Sequence, residues 1–328
     1  MTRGAALTGA LLVTLATPAT WPLALAAFLI RGGIVLVVLP IVVLPTPVGL
    51  GSAIGPALTA IALGSATTEV LVISGAAIVI VSAWVFVGGW AAAAFEAEAV
   101  RVVALDDDLA ALEPGPPAPT TGRVAGRILA VRLMADIPLG LVLSWGSVRL
   151  VTVAYHELTS PLDVSTPVVL RVLRGSPEVV IAIVLAWMIG EIVGAMAARS
   201  VVLARAGVVA ALRSAIGCCL RHPLSTLARF WVPTIGLAIV ILPSAVATAS
   251  AGAAVGAALD RPGDPLRVLG AVVTLVFLWL VGLLLASVMS AWRAAVWTMA
   301  EVAGEGTFGG SADRRPGDWR PDASSGNL

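Results

Sequence analysis

Between Arg205 and Ala245 a basic run (Arg205, Arg213, Arg221, His222) breaks at Pro223, and the chain then continues almost without charge from Trp231 past Pro243. A basic shoulder, a proline break and an apolar stretch recur along the sequence. A helix needs about 20 apolar residues to cross the hydrocarbon core of a bilayer. Six such runs are present: Leu23–Leu44, Val70–Phe95, Asp136–Tyr155, Val179–Ala198, Phe230–Ala249 and Val268–Ala291. The expected fold is therefore an all-α polytopic membrane protein with six transmembrane helices. Composition points the same way, because 59% of the 328 residues are hydrophobic and 12% charged, with mean hydropathy +1.01. Soluble domains hold roughly 45–50% apolar and about 25% charged residues, so no water-soluble core could absorb this much apolar surface.

Orientation follows from the arginines, because short cytosolic loops collect positive charge. The turn between spans two and three carries Arg101, Arg123, Arg127 and Arg132. The turn between four and five carries Arg199, Arg205, Arg213, Arg221 and Arg229, and Arg293, Arg314, Arg315 and Arg320 follow span six. On the other side, Pro45 to Thr68 has no charge at all, and Arg171, Arg174, Arg261 and Arg267 are offset by acids. Both termini are expected in the cytosol. All 20 basic side chains are Arg and none is Lys, which reads as GC-rich bacterial codon usage and places the chain in a bacterial cytoplasmic membrane. A net charge of +1 with dispersed arginines gives no nucleic-acid stripe.

Short amphipathic helices are expected at the interfaces. Ala5–Ala16 precedes Pro18 and Pro22, and Arg123–Met134 precedes span three. Val168–Leu173, capped by Ser165-Thr166-Pro167 and stopped at Gly175, lies between spans three and four. The loop 49–64 is apolar enough to lie in the interface as well. Met1-Thr2-Arg3 and the apolar run to Thr17 read either as the first of these elbows or as a secretory signal cleaved near Ala19. The same helix-then-proline pattern before two later spans favours the elbow. The linker 104–121, with Asp106-Asp107-Asp108 and four prolines, and the tail 303–328 are too polar to pack and are expected as mobile cytosolic segments.

The spans also suggest three helix-hairpin repeats, 1–101, 123–205 and 207–302. Each unit has a short helix ending at a proline, an outward span, and a return span with a tryptophan well inside it. These are Trp84, Trp187 and Trp279, each 12 to 17 residues before Arg101, Arg199 or Arg293. Parallel units that start and end on one side differ from the inverted repeats common in carriers. The pre-span pattern Arg221-His222-Pro223-Leu224, followed by spans with amphipathic elbows, resembles a group of uncharacterised bacterial six-span integral membrane proteins. That group is similar to the membrane domain fused to some glycerophosphodiester phosphodiesterases. Their soluble catalytic domain has no counterpart here, so the resemblance implies a membrane fold and no activity.

Ionisable groups at membrane depth cost about 2.5–3.5 kcal/mol each on insertion scales and need partners. Arg31 lies eight residues into span one and Glu191 seven residues inside span four, each about 10–12 Å deep at 1.5 Å per residue. Matching depth predicts an Arg31–Glu191 contact. Gly190-x-x-x-Gly194 and Gly32-Gly33 allow close backbone approach. Asp136, two residues before Pro138, either caps span three or joins them, and Arg149 should snorkel to the outer headgroups. Arg205, Arg213 and Arg221 are candidate ligands for lipid headgroups.

Catalytic sets are missing. The sequence has no HExxH and no Gly-x-Ser-x-Gly, and a phosphate-binding GxxxxGK[ST] is impossible without lysine. His156 and His222 fall on opposite sides of the expected topology. Cys218-Cys219 cannot form a disulfide framework or a four-ligand metal site. No catalytic residue, metal or cofactor is expected, and the expected partner is the lipid bilayer, with another membrane or cytosolic protein as a further candidate. Two functions remain: a non-catalytic membrane scaffold or partner subunit, and a transporter or permease subunit moving a small solute past Arg31 and Glu191.

Overall fold

The computed structural model describes residues 3–38, 64, 67–106, 121–159, 168–260 and 265–301. The end of span one beyond Val38, most of the 49–64 loop and of the 104–121 linker, the Ser165-Thr166-Pro167 cap and the 303–328 tail lie outside them. Helices form all the regular structure among the described residues, and there are no strands. In chain order they are α1 (Arg3–Ala16), α2 (Thr20–Phe28), a π segment (Leu29–Gly33), α3 (Ile34–Val38), α4 (Thr68–Ala83), a second π segment (Trp84–Gly88) and α5 (Gly89–Asp106). There follow α6 (Thr121–Ala135), α7 (Ile137–Thr159), α8 (Val168–Arg174), α9 (Pro177–Leu203), α10 (Val208–Arg221), α11 (Pro223–Leu259) and α12 (Pro265–Ala300).

Among the described residues, six helical stretches are long and apolar enough to cross a membrane: Thr20–Val38, Thr68–Ala104, Ile137–Glu157, Pro177–Leu203, Pro223–Leu259 and Pro265–Ala300. They coincide with the six expected spans, so the all-α polytopic fold holds. Several run past the expected ends. The 37 residues of α11 extend to about 55 Å at 1.5 Å each, against a hydrocarbon core of about 30 Å. That helix also passes through Pro233 and Pro243. Beside each proline a hydroxyl bonds back into the preceding turn, Thr234 Oγ1 to the Phe230 carbonyl at 2.6 Å and Ser244 Oγ to the Ile241 carbonyl at 2.9 Å.

The character of α4 supports hydrocarbon surroundings. None of its residues is buried, and Leu71, Val72, Ile73, Ile78, Val79 and Ile80 are each 60–68% exposed. A helix apolar on every side and covered by no protein would be unstable in water, whereas lipid tails solvate it without cost.

The chain divides into two compact units. The first comprises 1–130 and 227–296. In it α2 packs on α5 through alanines, with Ala24 and Ala27 buried on one helix and Ala92, Ala93, Ala97 and Ala99 on the other. Small side chains let backbones approach closely, which supplies packing where no hydrophobic effect operates between helices. In the same unit α11 and α12 run antiparallel, Gly236 lying opposite Met289 and Trp292, and Gly282 opposite Ser244.

The second unit comprises Val131–Thr226 and the segment from Trp297. Its core is one half of α9, where Gly190 and every residue from Ile192 to Val201 are buried. Gly146 faces Val179, Gly190 faces Ala135 and Asp136, and Gly194 faces Arg132. This descending register makes the partner of α9 antiparallel to it. The other flank of α9 is covered by α10, through Ala211, Ala215 and Cys218.

Candidate functional site

The most irregular backbone in the first unit surrounds Arg31. Around it the α-helical pattern widens into the π segment Leu29–Gly33, and Gly32 takes φ +107°, a value L side chains avoid. A Cβ at Gly33 would run into the Phe28 ring. Directly opposite, Trp84–Gly88 is also π-helical. A π turn frees a carbonyl from the helical ladder, and the Trp84 indole Nε1 donates to the carbonyl of Ile30 at 3.0 Å. Gly88 completes the fit, because a Cβ there would stand 3.2 Å from Ile30 Cγ2.

Arg31 forms an ion pair with Glu96, Nη2 to Oε2. The Glu96 side chain is 6% exposed and that of Arg31 29%. Glu96 falls one residue past the expected end of span two and was not among the expected polar sites. The signal is nonetheless present in the sequence, an acid inside the alanine-rich face WAAAAFEAEAV.

Glu191 has a different partner, Arg132, with Nη1 3.4 Å from Oε1. The expected Arg31–Glu191 match by depth thus gives way to two ion pairs, one in each unit. The Gly190-x-x-x-Gly194 face does allow close approach, but to the stretch Arg132–Asp136. A Cβ on Gly190 would lie 2.6 Å from Asp136 Oδ1 and 3.0 Å from the Ala135 carbonyl oxygen. One on Gly194 would lie 3.0 Å from Arg132 Nη1. Asp136 is the turn that joins α6 to α7, its amide donating to the Arg132 carbonyl and its carbonyl accepting from the Gly140 amide. Asp136 therefore stands beside Glu191's own turn of α9, in the second unit.

Two buried ionisable groups in the second unit had no assigned role in the sequence. Arg199, 3% exposed, donates from Nη1 to the Ala195 carbonyl at 3.0 Å, and Glu301, 7% exposed, accepts from Ser200 Oγ at 3.4 Å. Arg149 does not simply snorkel: its Nε lies 3.2 Å from Glu178 Oε1. Glu157, beside His156, is engaged by Arg171 at 3.4 Å.

The three headgroup candidates divide. Arg205 has φ 54° and ends α9, with the Ala206 amide donating to the Ser200 carbonyl at 3.2 Å. The bond spans six residues, and arginine holds the left-handed position where glycine is usual. Arg213 and Arg221 are exposed side chains of α10. On the same helix, burial and the neighbouring Cys218 push the Cys219 thiol up to about 11, and its Sγ lies 3.7 Å from Met196 Sδ.

Further tryptophans follow the pattern of Trp84. Trp279 Nε1 donates to the Val37 carbonyl, Trp292 Nε1 to Leu7 and Trp21 Nε1 to Thr14. Span one therefore receives an indole bond from each of two return spans. A small cleft in this unit, lined by Leu36, Val37, Ser244, Thr248, Trp279 and Leu283, does not include Arg31 or Glu96. No family model matches the sequence, and no curated protein or solved structure matches it.

Proposed function

We propose that the chain is a non-catalytic component of the bacterial cytoplasmic membrane, a scaffold or partner subunit with its arginine-rich helix ends in the cytosol. The observation that carries this reading is the pairing of the deep charges. Arg31 with Glu96 and Arg132 with Glu191 are each joined inside one unit, and the carbonyl at the kink is taken up by Trp84. Polar groups satisfied internally hold helices in register and leave little to offer a passing solute.

A second reading, a permease subunit, is favoured by the break itself. Two facing π segments and a left-handed Gly32 make span one discontinuous at Arg31, and discontinuous helices line many transport sites.

Accessibility separates the two. Ala92 and Ala97 are fully buried beside Glu96, so single cysteines there, in a Cys218→Ala/Cys219→Ala background, probe whether water reaches the pair. A scaffold leaves both unreactive toward a membrane-impermeant thiosulfonate from either side. A permease exposes at least one of them, and addition of its solute changes the rate.

A further inference from the structure

Helix α10 carries two apolar faces, and α9 covers one of them. Ala211, Ala215 and Cys218, at spacing i, i+4, i+7, are buried where α10 packs on α9. Val209, Ile216 and Leu220, with Arg213 between them, follow the spacing i, i+4, i+7, i+11 two positions away, which is the opposite side of the helix. These apolar residues are 73%, 48% and 77% exposed. The stripe continues into Leu224, 76% exposed, because His222 alone separates α10 from the membrane-crossing helix α11.

Charge identifies what covers the stripe. From Glu191 to Asp260 the sequence has no acid between them but contains Arg199, Arg205, Arg213, Arg221 and Arg229. Arg199 is buried and bonded to Ala195. Arg213 and Arg221, in contrast, are exposed and form no ion pair or hydrogen bond with another described residue. An apolar stripe with one free guanidinium group within it, at Arg213, and another at its edge, at Arg221, has at the foot of a spanning helix the chemistry of an in-plane interfacial helix.

We propose that α10 docks on anionic phospholipid, with Arg213 and Arg221 on the headgroup phosphates and Val209, Ile216 and Leu220 in the acyl boundary. This deepens the scaffold reading and rests on it for the side of the membrane: the lipid is that of the cytosolic leaflet. Planar guanidinium groups bind phosphate oxygens in pairs, and cations near an anionic leaflet gain affinity that salt screens.

The test uses the full chain in mild detergent, titrated with phosphatidylglycerol or phosphatidylcholine and read by native mass spectrometry. The wild type is expected to retain phosphatidylglycerol over phosphatidylcholine. Arg213→Gln/Arg221→Gln should weaken phosphatidylglycerol about 25-fold, about fivefold per arginine, while leaving phosphatidylcholine unchanged. Leu220→Gln should weaken both lipids. Arg213→Lys/Arg221→Lys keeps the charge and controls for folding, since it should retain most of the binding. Unchanged phosphatidylglycerol binding in the double Gln variant overturns the proposal, as does displacement of the lipid by equimolar inorganic phosphate. Labelling of an Arg213→Cys variant from outside the cell instead sinks the cytosolic scaffold reading and leaves the lipid result standing.

Discussion

Replacing Arg31 with Met should strand Glu96, a carboxylate whose side chain is 6% exposed. Breaking a buried pair by removing one partner costs about 3–5 kcal/mol, because the other charge stays uncompensated. The pair sits in apolar surroundings, and a loss of about 3 kcal/mol or more is expected. Glu96→Met should cost less, about 1–2 kcal/mol, because the long arginine side chain can turn toward headgroups once its partner is gone. The double change Arg31→Met/Glu96→Met leaves two apolar side chains in apolar surroundings and should return close to the wild-type value. The expected coupling is thus about 3 kcal/mol or more, measurable as a double-mutant cycle of unfolding free energies in detergent micelles. Losses that add to within about 0.5 kcal/mol would mean the two groups do not interact, and the structural role assigned to the pair would be wrong.

The helix junctions and the cysteine pair give further expectations. Gly190→Ala should destabilise by about 1–2 kcal/mol, since its Cβ meets the Ala135 backbone oxygen at 3.0 Å. Gly270→Ala, with nothing within 4 Å, should stabilise by up to about 1 kcal/mol, and thermal unfolding of the two variants checks the contrast. Arg205→Gly should gain up to about 1 kcal/mol by relieving the left-handed backbone at φ 54°; a loss would assign Arg205 a side-chain role that outweighs the strain. Cys219, raised from 9.0 to about 11, should react slowly with iodoacetamide at pH 8, at a rate that climbs until about pH 11. The folded chain holds this proton when the unfolded chain has already lost it. The contribution of Cys219 to stability is therefore full below pH 9 and declines from 9 to 11.

Hydropathy alone made the spans legible, because an apolar run of fixed length answers to the bilayer and not to tertiary detail. Elbow helices were legible for a related reason: Pro18, Pro138 and Pro223 mark where one helix must yield to another, and Thr121–Ala135 and Val208–Arg221 form as expected. Pairing was harder to read. Matching Arg31 to Glu191 by depth treated each charge as if it sat at the level of its Cα. Ile30 lies opposite Gly88, yet the guanidinium of Arg31 meets Glu96, eight residues or about 12 Å further along the facing helix. Helical side chains lean toward their own N-terminus, so the long Arg31 side chain pairs with an acid that lies opposite earlier turns of span one. Arg132, ahead of span three, lies across from Gly194 and pairs with Glu191 three residues earlier on α9. The π segments were invisible in the sequence, since a widened turn depends on what faces it. Here that is Trp84 against Ile30. Trp84 and Trp279 stand in the sequence as markers of a repeat, and the structure adds the bonds that they make to span one.

Sidedness around α11 tests the account's central claim most directly. In a Cys218→Ala/Cys219→Ala background, Arg213→Cys and Asp260→Cys place single thiols just before and just after a span of 37 residues. Membrane-impermeant maleimide applied to intact cells and to inverted vesicles should label Asp260→Cys from the outer face alone and Arg213→Cys from the cytosolic face alone. Labelling of both from the same face would mean that α11 does not cross the membrane, and the six-span fold would fall with it.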